Sequence, residues 1–481
     1  MADRADLPQR TLNTPLRTGE TLRFVGAVLV GLAVLALLMA VLGDDGSALL
    51  LAPFGLAGIL LTRSPEWALL AVVLAIPVDT ELLLPIAGGL SLSKLLGTLL
   101  LATLAYDITV RGHRIRLFDD PLDYVIVGFA ALVLVSCIAG RYADLPPALR
   151  LLRMIGFYFC IKNLIRSSEI LQRVLWAFVL AGWATAIYSM WKFIEARMYH
   201  LEDIRVGGVA MHPNDYATQM LVVALFAFHL IFQERSSRFW TPAVAILVCV
   251  ASAYAIVLTG SRAGIMILFG SGLIAILRQP ARWRILPVAI AISAVSWTIW
   301  PRSVTDRMTA TFDATPDSRQ AESARFSSNR RATYVPLALD LVAERPLLGH
   351  GYHAFRQLYA ASEYVHRANP LTNTDRDRVA HNTYLEIAVG AGLPAMLAFV
   401  SMIGIAWLRV RRARDGSGDV IDCAAAALDV ALIGIAFSML FKSIPAFKLL
   451  WFLLGASSAV CSLAARRVKH AAAKGRADRT S

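Results

Sequence analysis

Charge is scarce in this chain: only 17% of its 481 residues are Asp, Glu, Lys or Arg, whereas 57% are hydrophobic. A soluble fold cannot hide that much apolar surface in one core, so a water-soluble globular enzyme is excluded and lipid must solvate much of the protein. Acidic residues are the scarcer sign, 34 against 47 basic ones, for a net charge of +13. In a soluble protein that excess would point to nucleic acid. No RNA- or DNA-binding signature accompanies it, and it reads instead as cationic loops beside anionic lipid headgroups. Cysteine is also rare. Cys137, Cys160, Cys249, Cys423 and Cys461 all lie in apolar runs and none has C-x-x-C spacing, so each reads as a small buried apolar residue and not as a metal or redox ligand. Glycines in GHG and RVGG are too sparse for a phosphate-cradling loop. The polar start MADRADLPQRTLNTPLRTGE leads into no short apolar run with an A-x-A end, so Leu22 to Leu42 reads as a retained span.

What is present is a series of about fourteen apolar runs, each a candidate membrane helix. They lie near 22–42, 47–62, 66–78, 90–106, 121–139, 149–165, 170–194, 214–232, 241–259, 263–277, 284–300, 382–408, 420–440 and 445–464. Several are short, which sets the expected fold at about 12–14 transmembrane helices in an all-α polytopic membrane protein. Lys and Arg collect in alternate loops: Arg63; Arg111, Arg114 and Arg116; Lys162, Arg166 and Arg173; Arg235 and Arg238; Arg278, Arg282 and Arg284; Arg409, Arg411, Arg412 and Arg414; then Arg466, Arg467 and Lys469. By the positive-inside rule those loops and both termini are expected to be cytoplasmic.

The expected organisation is a cytoplasmic tail over 1–21, a helix bundle over 22–300, a large outer loop over 301–380, further spans over 381–465 and a basic cytoplasmic tail over 466–481. A loop of that length on a compact bundle is functional or disordered. Its first part, DATPDSRQAESARFSSN, reads as flexible. In its second part Leu337, Leu341 and Val342 recur at helical spacing, and Pro346, Gly349 and Gly351 stop the helix. An amphipathic helix opened by Arg330 and Arg331 is therefore expected over the outer mouth of the bundle.

The same outer side collects polar residues. Arg205 precedes a span in IRVGGVAMHPNDYA, Arg262 occupies the very short turn LTGSRAG, and His381 opens HNTYLEIAVGAG with Asn382 beside it. Lys442 and Lys448 flank SIPAF. An arginine at a span boundary can simply snorkel to headgroups. Several arginines from distant positions on one face suit a pyrophosphate, because the guanidinium fork matches phosphate oxygens in pairs. A histidine at such a boundary can be inert, yet a neutral imidazole can take a proton from a hydroxyl near neutral pH. His381 is the first candidate for that task; His212, His350, His353 and His366 compete. Asp375-Arg376-Asp377 has the D-x-D form of a metal site, but nucleotide sugars are not expected outside the cytoplasm, and no other cluster has metal-ligand spacing.

RVGGVAMHPNDYA, LTGSRAG, RATYVPLALDLVAERPLLGHGYHAF and HNTYLEIAVGAGLPAM, in this order, resemble segments of the O-antigen ligase and O-antigen polymerase superfamily, bacterial envelope glycosyltransferases. With the topology the resemblance covers roughly residues 200 to 440. It implies a C-type glycosyltransferase fold with a periplasmic loop packed over the bundle, an undecaprenyl-pyrophosphate-linked glycan donor, and no metal or other cofactor. The acceptor would be the lipid A core or another glycan for a ligase, and a second lipid-linked repeat unit for a polymerase. A transporter of such lipids is the reading from a different class. Arg205, Arg262 and Arg331 match family arginines that bind the pyrophosphate or open the loop helix, and His381 matches the proposed general base. His350, His353, Asn382 and Lys442 are accessory candidates. One departure is that Gly392 is followed by Pro394 and Ala395 where the family often has Gly-x-x-Gly.

Overall fold

The computed structural model describes residues 65–77, 92–199, 205–209, 212–233, 240–298, 300–309, 319–364 and 378–480. The expected spans 22–42 and 47–62, His366 and the 375–377 triplet lie outside them. Every other expected span falls on a helix, and no β-strand occurs among the described residues. In chain order the helices are α1 (Pro65–Ala75), α2 (Leu92–Thr109), α3 (Pro121–Ala139), α4 (Leu145–Leu164), α5 (Ser168–Met198), α6 (Pro213–Leu230), α7 (Trp240–Leu258) and α8 (Arg262–Leu277). There follow α9 (Arg282–Thr298), α10 (Arg302–Thr309), α11 (Arg319–Glu344), α12 (Phe355–Ala361), α13 (Thr383–Ala413), α14 (Val420–Ser438) and α15 (Lys448–Thr480). Six helices among the described residues are long and apolar enough to cross a membrane: α3, α5, α7, α13, α14 with the turn that follows it, and α15. Part of α2, with α1 and α8, is shorter but apolar. The protein is an all-α, multi-pass membrane protein.

Contacts divide the chain into two units, residues 1–68 with 83–114, and residues 69–82 with 115–481. Within the first, the end of α2 is tied locally: buried Asp107 receives Arg111 at 3.5 Å and His113 at 3.1 Å. The second unit is built around α14 and α15, each 83% buried over its apolar window, whereas α3 is 39% buried and keeps a lipid-type outer face. The sequence of α14, CAAAALDVALIGIA, is apolar on every face but for Asp429, and its small side chains let neighbouring backbones approach. The helix packs on α6, α8 and α13, while α15 packs on α4 and α13.

The two ends of this bundle differ. At one end Lys162 pairs with Asp119 and Asp123, Tyr158 donates to Asp123 at 2.6 Å, and Arg409 of α13 pairs with Asp120, the N-cap of α3. Arg278 and Arg414, which end α8 and α13, both reach buried Asp429, at 2.5 and 3.2 Å. Buried charges persist only when paired in this way.

At the other end the chain after α11 folds back into the bundle. Helix α13 breaks at Gly392, whose φ of 83° only glycine adopts without strain. The break frees the Val389 and Gly390 carbonyls, which accept the N–H groups of His350 and Gly351, each at 2.9 Å. The N–H groups of Tyr142 and Asp144 in turn donate to the His350 and Tyr352 carbonyls at 3.2 and 3.1 Å. Irregular backbone inside the bundle is tolerated because protein groups satisfy it. Above this seam Tyr334, Leu337, Ala338 and Leu341 of α11 bury against Phe355, Tyr359, Ala380 and Val389. Helix α11 also starts at Arg319, earlier than the Arg330–Arg331 opening expected from sequence. The stretch 319–329, read as flexible, is helical: its Arg, Gln, Glu and Ala residues are strong helix formers, and they extend a helix already nucleated by the packed segment 334–342.

Candidate functional site

The turn between α7 and α8 is the floor of the site. Helix α7 ends at Leu258, Gly260 takes φ 58°, and Ser261 caps α8 by accepting the Gly264 N–H at 3.2 Å. The Thr259 hydroxyl tightens the same turn by accepting the Ser261 N–H at 3.1 Å. Such a turn points the first N–H groups of α8, and its positive dipole end, at whatever lies beyond. Arg262 is the first residue of that helix, so the turn that caps α8 also presents its guanidinium.

Arg205 is fixed against this floor. Its Nε donates to the Thr259 carbonyl at 2.9 Å, and one terminal nitrogen donates to Asn214 Oδ1 at 3.0 Å. Asn214 stands in the first turn of α6, whose N-cap is His212; the His212 Nδ1 accepts the Asn214 N–H at 3.3 Å. From the third side comes Lys442, just after α14. Its buried ammonium donates to the Asn214 carbonyl and the Thr218 hydroxyl, and stands 3.5 Å from Asp215. Arg331, from α11, and Arg307, from α10, close the ring.

Together Arg205, Asn214, Gly260, Ser261, Arg262, Ala263, Arg307, Arg331, Phe441 and Lys442 line one small open cleft. Five of these residues are cationic and none is acidic. Burial, then repulsion from Arg307, Arg331 and Arg262, pushes the Arg205 guanidinium down to about 10, so it remains charged at neutral pH. Burial likewise pushes the Lys442 ammonium down to about 8, with Asp215 pulling the other way. Desolvation, helped by Arg205, Lys442 and Arg331 against Asp215, holds His212 below the ordinary histidine value. Packed cations that repel one another form an anion site in the same low-dielectric setting that makes their repulsion costly.

His381 stands next to the cleft, outside its lining. It is one of three non-glycine residues at positive φ among the described residues, with φ 50°. A backbone so placed costs about 1–3 kcal/mol and persists only when its surroundings fix it. Here Asn382 caps α13 by accepting the Tyr384 and Leu385 N–H groups at 3.0 and 3.1 Å. Glu386, one turn on, accepts the Ala380 N–H at 2.8 Å and the Ser443 hydroxyl at 3.0 Å. Thr383 donates to the Lys442 carbonyl at 2.5 Å. The histidine is therefore braced from both flanks, and the brace is tied to the residue beside it that lines the cleft. Its ring stacks on Tyr334, three residues beyond Arg331 on α11.

The structure thus gathers Arg205, Arg262, Arg331 and Lys442 at one cleft, with His381 and Asn382 beside it. It does not gather His350 and His353 there. The His350 Nε2 lies 2.8 Å from the Leu341 carbonyl, which can only accept, so that nitrogen carries a proton. His353 faces Asp144 at 3.8 Å. Both belong to the seam that seats α11. Arg307 and Asn214 were missed by the sequence reading. Arg307 sits on a short polar helix among several arginines, with no local pattern to separate it from them; Asn214 was visible inside HPNDYA, although a residue at N2 of a helix more often serves only the turn.

Residues 245–400, about a third of the chain, match the Wzy_C family model, described as O-antigen ligase. The match takes in Arg262, Arg307, Arg331, His350, His353, His381 and Asn382, whereas Arg205 and Lys442 fall outside it. No curated protein matches the chain. Over residues 245–400, therefore, the chain is similar to the O-antigen ligase family.

Proposed function

We propose that the protein moves a glycan from undecaprenyl pyrophosphate to an acceptor hydroxyl, as an O-antigen ligase acting on the periplasmic face of the inner membrane. The observation that carries this reading is the cleft itself: five cations around the N-terminus of α8, with a braced imidazole next to them. A diphosphate relieves the mutual repulsion of those cations, and its negative charge grows as the glycosidic bond breaks. Groups aimed at that developing charge accelerate departure without a dedicated acid. Arg205, Arg262, Arg331, Arg307 and Lys442 supply charge of the kind a divalent ion supplies in other transferases, so the step is read as metal-independent.

His381 is the base. As a neutral imidazole it removes the acceptor proton while the oxygen attacks the anomeric carbon from the face opposite the pyrophosphate. One displacement inverts configuration. The positive-inside pattern supports cytoplasmic termini and a cleft facing the periplasm, where the lipid A core or another terminal glycan is the acceptor. Purified protein incubated with lipid-linked glycan and candidate acceptors tests the proposal. Transfer of preformed glycan to a terminal acceptor is expected; extension of one lipid-linked chain by another would make the protein a polymerase. Absence of any glycan transfer from a folded preparation would favour a lipid transporter.

A further inference from the structure

We infer that Glu386 is a positioning residue for His381, acting through the backbone bracket in front of it as a hydrogen-bond acceptor. The inference rests on His381 being the base. Glu386 lies one turn into α13 with only 2% of its surface exposed, deep enough that its carboxylate has a structural cost to justify. One oxygen, Oε2, accepts both the Ala380 N–H at 2.8 Å and the Ser443 hydroxyl at 3.0 Å. The other, Oε1, is buried with no hydrogen-bond partner among the described residues.

That arrangement fixes the residue immediately before His381 to the residue immediately after Lys442. His381 needs such a hold, because its φ of 50° is a conformation the chain relaxes from when unsupported. Asn382 fixes the following side of the same histidine by capping α13, and Tyr334 covers one face of the ring. Removal of Glu386 therefore frees the preceding peptide and the Ser443 hydroxyl, and leaves the arginines in place. The consequence is a base that spends less time in reach of the acceptor hydroxyl, with donor binding intact.

The idle oxygen makes the idea specific. Only the acceptor at the Oε2 position is used, so a glutamine that puts its carbonyl oxygen there preserves the bracket. The test measures steady-state glycan transfer by purified wild-type protein and by Glu386→Ala, Glu386→Gln, Ser443→Ala and His381→Ala variants, with donor concentration varied. The expected result is a tenfold or greater loss of kcat in Glu386→Ala at a donor KM within twofold of wild type, with Glu386→Gln within threefold of wild type in both. The inference is overturned by a Glu386→Ala protein that keeps its kcat, one that loses activity through donor KM, or a Glu386→Gln protein as slow as Glu386→Ala. Should Glu386→Ala not fold, Ser443→Ala decides: a lowered kcat at unchanged donor KM supports the bracket, and wild-type kinetics overturn it. His381→Ala separates the two ideas, since full turnover there removes the base assignment whatever Glu386 does.

Discussion

The rings of His381 and Tyr334 lie 5.9 Å apart between centroids and within 19° of parallel. Tyr334 also belongs to the small core that seats α11, where it meets Tyr359 at 5.0 Å. One side chain thus joins the helix that carries Arg331 to the bracket that carries His381. Tyr334→Phe keeps the stacking and is expected to lose less activity than Tyr334→Ala. Tyr334→Ala removes a stacking contact of about 0.5–1.5 kcal/mol and opens a core cavity of larger cost. Its kcat should fall at least severalfold, with a lowered unfolding temperature in detergent; unchanged values for both would contradict the role given to this contact.

Arg262 and Arg307 provide a graded test of the cationic cleft. Each charge-assisted contact to a phosphate oxygen is worth about 1.5–3 kcal/mol. Alanine at either position is therefore expected to raise the donor KM or lower kcat/KM by about 10- to 100-fold. Arg262→Lys retains the charge without the planar fork, so it should fall between wild type and Arg262→Ala. Equal activity in all three proteins would show that the arginine merely meets headgroups.

Lys442 gives the cleft a pH dependence. Its ammonium titrates at about 8 instead of the usual 10.5. Below that value the cleft has its fifth positive charge, and as pH rises through about 8 the charge is lost, so donor KM should climb. Stability runs the other way. Between about 8 and 10.5 the unfolded chain holds the proton that the folded chain has released, so this group's contribution to stability increases with pH across that window, and its burial penalty is fully present below it. A donor KM that stays flat from pH 7 to 9, measured at constant ionic strength, would argue against Lys442 as a working cation.

Gly392 is where the fold should be most sensitive. A Cβ there would stand 2.2 Å from the Leu347 carbonyl oxygen and would also have to adopt φ 83°. Gly392→Ala is expected to unseat the 347–351 segment from the broken α13, lower thermal stability and abolish transfer together. Gly404, in the same helix, where an added Cβ would meet no other segment of the described residues within 4 Å, is the control: Gly404→Ala should be neutral or mildly stabilising. Circular dichroism melts of both proteins decide the matter.

Much of this was legible without coordinates. Apolar runs fixed where helices form because lipid offers no partner for a free backbone N–H, leaving a helix as the local solution. The same rule made Arg262 conspicuous, since a turn of a few residues confines its guanidinium near the membrane boundary. The span count was less legible: 149–165 and 284–300 read as spans and form α4 and α9, yet α4, with Arg150, Arg153 and Lys162, and α9, with Pro287, are not among the helices long and apolar enough to cross. Helix α11 was placed, but its start was missed because the polar stretch 319–329 has no apolar periodicity of its own and is extended from the packed end at 334–342.

What the sequence determined by itself was therefore an all-α membrane protein with arginines and a histidine gathered on one face, since hydrophobic run length and charge position are local properties. Only the tertiary structure decided which of them meet. Arg307 joined the cleft from a short helix far along the chain, and His350 is held in the seam because the break at Gly392 frees two carbonyls that capture a loop 39 residues earlier in the chain. Such long-range hydrogen bonding depends on backbone geometry in two distant segments at once, and no residue-by-residue pattern encodes it.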